Sequence, residues 1–262
     1  MNDVRIQIVN YKTKKYLEEC LVSLEKDLKD SSINYSVAIL DNASGDNLSN
    51  IKSTFPGLRN IEVYQGEKNL GFGAGQNFLS TRGKACYLLF LNPDTKIIEA
   101  KTVEKLLKFI KESRVQIVGP RLVTDKGKTQ WYDHGELHSW RAHIALNTCC
   151  AYWQKQENIT EVAWISGATF LIEKKWFDEL GGFDENFFLY REEEELCWRL
   201  RAKGDRVLYN PSITILHHGS VVAKKSEHIQ KSTDYFLKKH FRKRSGSILR
   251  FLNRVINWSN LC

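Results

Sequence analysis

The hydrophobic positions of this chain fall into short unbroken runs separated by stretches of helical spacing. Val4 to Asn10 reads as a buried strand, and Leu17, Cys20, Leu21, Leu24 and Leu28 then recur at the intervals of an amphipathic helix. Tyr35 to Leu40 is a second strand, stopped by the turn-forming residues Asp41, Asn42, Ser44, Gly45 and Asp46. Ile61 to Tyr64 is a short strand and Cys86 to Leu91 a continuous apolar one. Val103, Leu106, Leu107 and Ile110 then make another helix face before a strand at Val115 to Val118. This alternation predicts an α/β fold with a mostly parallel central sheet flanked by helices, and ligands at the carboxyl ends of the strands.

The second half is less regular. Thr124 to Glu161 is rich in Trp, His and Tyr without a clean period, and reads as an irregular excursion over the site. Val162 to Ile172 has the look of strand, bend, strand. Lys174 to Leu180 is a short helix stopped by Gly181-Gly182, and Glu192 to Lys203 a helix ended by Gly204. Arg206 to Tyr209 and Ile213 to Leu216 are expected as two late strands.

Composition supports a core, with 42% hydrophobic and 11% aromatic residues in a 262-residue chain. No run of apolar residues is long enough to span a bilayer. Met1 to Asn10 lacks the pattern of a secretory signal. The six cysteines have neither CxxC nor framework spacing, and are expected as reduced thiols of a cytoplasmic protein.

The net charge of +8 lies wholly between Lys224 and Cys262, where ten Lys or Arg face two acidic residues, so the first 223 residues are neutral. The chain therefore divides into a domain at 1–223 and a basic helical tail at 224–262. Within the tail Ile248, Leu249, Phe251, Leu252, Val255 and Ile256 share one helical face. Lys238, Lys239, Arg242, Lys243 and Arg244 precede it, Arg250 and Arg254 flank it, and Trp258 follows. Such a face either lies on an anionic membrane surface or packs against protein, on the preceding domain or on a second copy in a homodimer.

Five segments carry candidate chemistry. In LDNASGD, Asp41 leaves a strand end where it can bind a base or ribose, or simply cap the next turn. NLGFGAGQN spaces glycines at every second position, letting backbone approach a ligand, but fits neither the dinucleotide fingerprint nor a Walker loop. LFLNPDT delivers Asn92 and Asp94 to a strand end around Pro93, either as an ordinary turn or as a carboxylate for a cation on a diphosphate. FFLYREEEELCWRL sets four glutamates at a helix start. One or two would suffice to offset the helix dipole, and crowding beside Phe187, Phe188 and Tyr190 should raise the pKa of at least one, as suits a general base. In LHHGS, His217 and His218 end a strand as candidate metal ligands.

Taken in order from Val4 to about Ser220, VNYK, LDNASGD, NLGFGAGQN, LNPDT, SGATFLI, GGFDENFF, YREEEELCWRL and HHGS resemble the inverting nucleotide-sugar glycosyltransferases of family 2. Within that family the chain is most similar to bacterial rhamnosyltransferases of O-antigen and other surface polysaccharides. The resemblance implies the GT-A fold, with a nucleotide-binding Rossmann-like half and an acceptor half. It implies that Asp41, Val9 and Tyr11 line the nucleobase pocket, with Gly71 and Asn77 near the nucleotide. Asn92 to Asp94 would occupy the DxD position, and Asp94 would hold Mn2+ or Mg2+ together with His217, or less favourably His218. Gly167 and Ala168 would form the floor under the donor sugar. The family's Glu-Asp pair falls on Glu192 and Glu193, with Glu193 as base. Asn92 and Glu193 both replace aspartates usual at their positions.

The activity so implied is metal-assisted, inverting transfer of L-rhamnose from dTDP-rhamnose to a saccharide or polyprenyl-diphosphate-linked acceptor, at the cytoplasmic face of the inner membrane. Transfer of galactofuranose, glucose or N-acetylglucosamine from a UDP-sugar is the alternative. A nucleic-acid-binding protein would account for the basic tail but not for a neutral domain bearing these motifs, so no nucleic-acid partner is expected. A non-catalytic interaction module would rest on Asn92 and Glu193 alone.

Overall fold

The computed structural model describes residues 2–138, 152–219 and 225–241. The apolar stripe from Ile248 to Trp258 lies outside them.

The first strand, β1 (Asn2–Asn10), turns Val4, Ile6 and Ile8 toward α1 (Lys14–Leu28), whose Leu17, Cys20, Leu21, Leu24 and Leu28 are buried as their spacing requires. β2 (Tyr35–Asp41) follows, then the single turn α2 (Ile51–Thr54), β3 (Ile61–Gln65), α3 (Phe72–Ser80) and β4 (Ala85–Leu91). These four strands pair in parallel in the order β3-β2-β1-β4. Since β1 lies between β2 and β4, chain order reverses beside it, and a crevice opens at the carboxyl ends of the strands.

The second half is mixed. It comprises β5 (Thr95–Ile97), α4 (Thr102–Ser113), β6 (Ile117–Val123), β7 (His134–Gly135), β8 (Thr160–Glu161), β9 (Trp164–Ile165) and β10 (Thr169–Glu173). The short α5 (Lys174–Glu179), α6 (Glu192–Ala202), β11 (Val207–His217) and α7 (Lys225–His240) complete it. β10 inserts antiparallel between β4 and β6, β11 runs parallel to β6, and β5 closes antiparallel on β11. Helices α1 and α4 cover one face of the sheet. On the other, Phe90, Phe170, Phe177 and Phe183 form an aromatic cluster beneath Leu196 and Leu200 of α6.

The late strands expected at 206–209 and 213–216 are one strand, β11, whose register against β6 slips between Asn210 and Thr214. Pro211 has no N–H for the ladder, and the Asn210 side chain caps the bulge by accepting from Ser212 N–H at 3.1 Å. Of the glycines of NLGFGAGQN, Gly73 and Gly75 lie inside α3.

The excursion between β6 and β8 is anchored by one buried carboxylate. Asp133 accepts from Tyr209 Oη at 2.8 Å and Trp153 Nε1 at 2.9 Å, and its Oδ1 lies 2.7 Å from His134 Nδ1. Helix α7 docks on the domain through Phe236 and Leu237, which are buried with Phe187 and packed by Trp198. Among the described residues, no helix is long and apolar enough to cross a membrane.

Candidate active site

The sheet topology gathers the candidate residues at one edge. Leu91, the end of β4, pairs with Thr169 at the start of β10, and Asn92 N–H donates to Ala168 O at 2.8 Å. At the other side of the same turn Thr95 pairs with His217, and His218 N–H donates to Asp94 O at 2.9 Å. Thr95 closes the turn by donating from Oγ1 to Asn92 O at 2.6 Å. The Asn92-Pro93-Asp94 corner is thereby pinned between Gly167-Ala168 and His217.

His217 Nε2 lies 3.4 Å from Asp94 Oδ1. Gln130 Nε2 donates to the His217 carbonyl at 2.7 Å, which leaves Gln130 Oε1 to accept from His217 Nδ1–H at 2.9 Å. This network puts a proton on Nδ1, so in the neutral ring the Nε2 lone pair faces a carboxylate oxygen. Two acceptors turned toward each other fit a cation between them, and Gln130 supplies the outer hydrogen bond typical of metal-binding histidines.

No group of three or more His, Cys, Asp or Glu suited to a metal ion occurs among the described residues. Asp94 and His217 thus suit a cation whose remaining ligands are substrate oxygens. His218, the less favoured ligand of the sequence reading, faces away from this pair. Its Nδ1 pairs with Asp125 at 3.0 Å and its ring packs on Tyr16, because successive side chains at a strand end point to opposite faces.

The four glutamates opening α6 divide into two pairs. Glu195 is buried and neutralised by Arg199, Lys239 and His240, which hold its pKa below the ordinary range against the opposing effect of burial. Glu194 pairs with Arg191 at 3.0 Å. Among the described residues neither Glu192 nor Glu193 is in a salt bridge, and each has a buried Oε2 without a hydrogen-bond partner there.

Glu193 Oε1 accepts from Gly167 N–H at 3.4 Å. Burial, and next the charge of Glu194, push Glu193 up to about 7. As a residue Glu193 is only half-buried, yet its Oε2 reaches no solvent, and the carboxylate's own surroundings govern its titration. Glu192 is buried against Gly73 and raised well above the carboxylate range, first by burial and then by Glu193.

Tyr190 links this end of the cleft to the other. Its phenol is raised by burial and then by the charges of Glu192, Glu193 and Asp94. Tyr132 is raised by burial, then by Asp94, Tyr190 and Asp133, and its ring lies 6.2 Å from that of His217. The sequence reading gave no role to Gln130 or Tyr132 and used Tyr190 only as an aromatic flank. The excursion's Trp, His and Tyr content was the available signal.

On the nucleotide side Asp41 is fully buried. Its carboxylate accepts from Asn10 Nδ2 at 3.0 Å, Gln65 Nε2 at 2.6 Å and the Ser44 hydroxyl, so it joins the ends of β1, β2 and β3. Asn42 donates to Asn69 Oδ1 at 2.9 Å and Gly71 O at 3.0 Å, tying the next loop to β2. Val9 packs on Gly75, while the Tyr11 ring sits 5.3 Å from the Lys12 ammonium. A cavity of about 420 Å³ beside Gln65, Asp46 and Lys52 shares no lining residue with the Asp94–Glu193 cleft.

The glycines of this region approach protein. Gly71, with φ of 84°, is pressed against the Phe188 carbonyl, where a Cβ has no room. Asn77, expected near the nucleotide, is engaged with the protein. Its amide donates to Phe183 O at 2.9 Å and accepts from Phe183 N–H at 2.9 Å, so both ends of the group are used in tying α3 to the turn before α6.

Residues 6–196 match the model of "Glycosyl transferase family 2". The chain is 26% identical to Rhamnosyltransferase WbbL of Escherichia coli K12, over 98% of this chain and 95% of that protein. It is 40% identical to the N-acetylglucosaminyl-diphospho-decaprenol L-rhamnosyltransferase of Mycobacterium tuberculosis over 70 residues, covering 26% of this chain and 23% of that one. The mannosyltransferase PcManGT of Pyrobaculum calidifontis, solved with GDP-Man and Mn2+, shares the fold. It superposes with a TM-score of 0.61 at 15% identity, over 90% of this chain and 62% of that one.

Proposed function

This chain belongs to glycosyl transferase family 2, and on that premise we propose that it transfers L-rhamnose from dTDP-rhamnose, with inversion, to a saccharide carried on a polyprenyl diphosphate. The carrying observation is the division of the acidic cluster. Glu193 alone combines an elevated pKa, a half-open position and a hydrogen bond to the loop before β10, in a cleft whose other end is Asp94. The rhamnose and the lipid-linked acceptor draw support from the names of the two rhamnosyltransferase relatives.

In-line displacement needs a base on the face of the sugar opposite the departing nucleoside diphosphate. Glu193 takes the proton of the acceptor hydroxyl as that oxygen bonds to the anomeric carbon, while Gly167 N–H keeps Oε1 in place. A pKa near 7 balances base strength against the ionised fraction at neutral pH. Glu192, raised by burial and then by the charge of Glu193, is shifted toward its neutral form and so sets less negative charge beside the base.

A divalent cation, held by Asp94 and His217 and completed by diphosphate oxygens, would offset the charge gathering on the leaving group. The Mn2+ bound to PcManGT supports that reading. Asp41 keeps the base pocket in shape by joining Asn10, Ser44 and Gln65, with Val9 and Tyr11 beside it. Gly167 and Ala168 underlie the donor sugar. With a lipid-linked acceptor the enzyme works at the cytoplasmic face of the membrane, and the basic tail is its contact with anionic lipid.

The test is a thermal-shift screen of the full chain with dTDP-, UDP- and GDP-sugars, with and without Mn2+. The largest stabilisation is expected from dTDP-rhamnose with Mn2+, because a ligand bound only by the folded state raises the melting temperature. Preferential stabilisation by a UDP- or GDP-sugar would replace the rhamnose assignment. No response to any nucleotide sugar would remove the donor site.

A further inference from the structure

The corner that presents the base adopts backbone conformations its residues disfavour. Tyr190 and Arg191 are consecutive non-glycine residues with φ of 70° and 69°, in the left-handed region where Cβ crowds the backbone. Such a corner persists only where its surroundings over-determine it. Here they come largely from α7, which lies beyond the 6–196 stretch matched by the family model.

Arg191 Nε donates to Thr233 Oγ1 at 2.7 Å, and the guanidinium sits 6.0 Å from the Phe236 ring while its Nη1 pairs with Glu194. Ser232 Oγ donates to Leu189 O at 2.8 Å. Lys239 holds both Asp184 and Glu195 at 2.6 Å, and Tyr235 Oη donates to Asp184 at 3.0 Å. Both flanks of the 184–195 segment are thus fastened to one helix. The Arg191 carbonyl accepts from Glu195 N–H at 2.9 Å, so the strained corner, two residues before Glu193, also sets where α6 begins.

We propose that α7 is a brace for the transfer site and that Arg191, clamped to Thr233, is the positioning residue that sets Glu193 against Gly167 and turns Tyr190 into the cleft. This rests on the reading of Glu193 as base. The tail then has a task on the domain itself. Released from Thr233, the corner relaxes, and Glu193 moves off Gly167 N–H into water. The charged and titratable groups around Glu193 are Glu192, Glu194, Arg191 and Tyr190 on its own segment and Cys197 one turn on. Of the described titratable groups of α7, Lys239 and His240 face Glu195, Lys239 and Tyr235 face Asp184, and His228 stacks on Phe188.

Two substitutions in the full chain separate positioning from mere folding. Arg191→Gly suits the left-handed backbone better than arginine, so a corner needed only for the fold would tolerate it. Thr233→Val keeps shape and the arginine charge but removes the acceptor. Both are expected to keep the melting temperature within a few degrees and the donor KM within about twofold, and to lower kcat at least about tenfold.

Thr233→Val should also move the acidic limb of the pH profile downward, as a hydrated Glu193 titrates closer to an ordinary glutamate. Thr233→Ser should behave as wild type. Wild-type kcat in Arg191→Gly, or a loss of kcat matched by loss of folded protein with the limb unmoved in Thr233→Val, would overturn the brace. Glu193→Gln measured alongside separates the two readings. Full turnover there removes the base assignment and the brace with it, whereas an inactive Glu193→Gln beside a fully active Arg191→Gly removes the brace alone.

Discussion

Glu193→Gln is expected to lower turnover by on the order of 10² to 10⁴ while leaving the fold and donor binding intact. Glutamine keeps the shape and can still meet Gly167 N–H through its carbonyl, but it cannot take a proton from the acceptor. Glu192→Gln is expected to stay within about tenfold of wild type, because burial shifts Glu192 toward its neutral form and the amide is nearly isosteric with the neutral acid. Single-turnover transfer at saturating donor isolates the step. Near wild-type turnover in Glu193→Gln, with Glu192→Gln inactive, would move the base to the neighbouring residue.

Asp94→Ala should be as severe at the other end of the cleft, costing at least about 10² in turnover. It should also remove any Mn2+ dependence of nucleotide binding. The carboxylate is one of two protein groups turned toward the same point, and His217 alone offers a neutral nitrogen. The fold should survive, since the Asn92–Thr95 turn is closed by backbone and Thr95 rather than by the Asp94 side chain. Titration of Mn2+ by its electron paramagnetic resonance, with dTDP present, measures the binding directly. Transfer at the wild-type rate by Asp94→Ala in the presence of chelator would contradict the assignment.

Much of this arrangement is legible in the chain itself. Period and turn residues mark β1, β2, β4, α1 and α4 closely, because each buries one face or both. The sharp ends of those apolar runs expose Asp41 and Asn92 to Asp94 as strand-end residues. What the sequence does not reveal depends on contacts between distant segments. Gln130 and His217 are 87 residues apart, and nothing in the spacing of either signals the hydrogen bond that fixes the histidine tautomer.

The same holds for Asn77, whose partner Phe183 lies 106 residues away, and for Arg191 and Thr233. Glycine spacing in Leu70 to Gly75 signals close approach but not what approaches, and the neighbours are Phe188, Phe183 and Val9. The run of four glutamates looks uniform, yet Lys239 and His240 from α7 pair with Glu195 and set it apart from the rest.

The central claim is that one carboxylate, raised by burial beside Gly167, serves as the base. The direct test is the pH dependence of kcat/KM for the acceptor, which reports the free enzyme. Ionised Glu193 is the active form, so activity should fall as pH decreases through the raised pKa. An acidic limb centred near pH 7 is expected in the wild type, well above the ordinary 4.5, and it should disappear in Glu193→Gln. A limb at the ordinary glutamate value, or one near 7 that persists in Glu193→Gln, would contradict that claim.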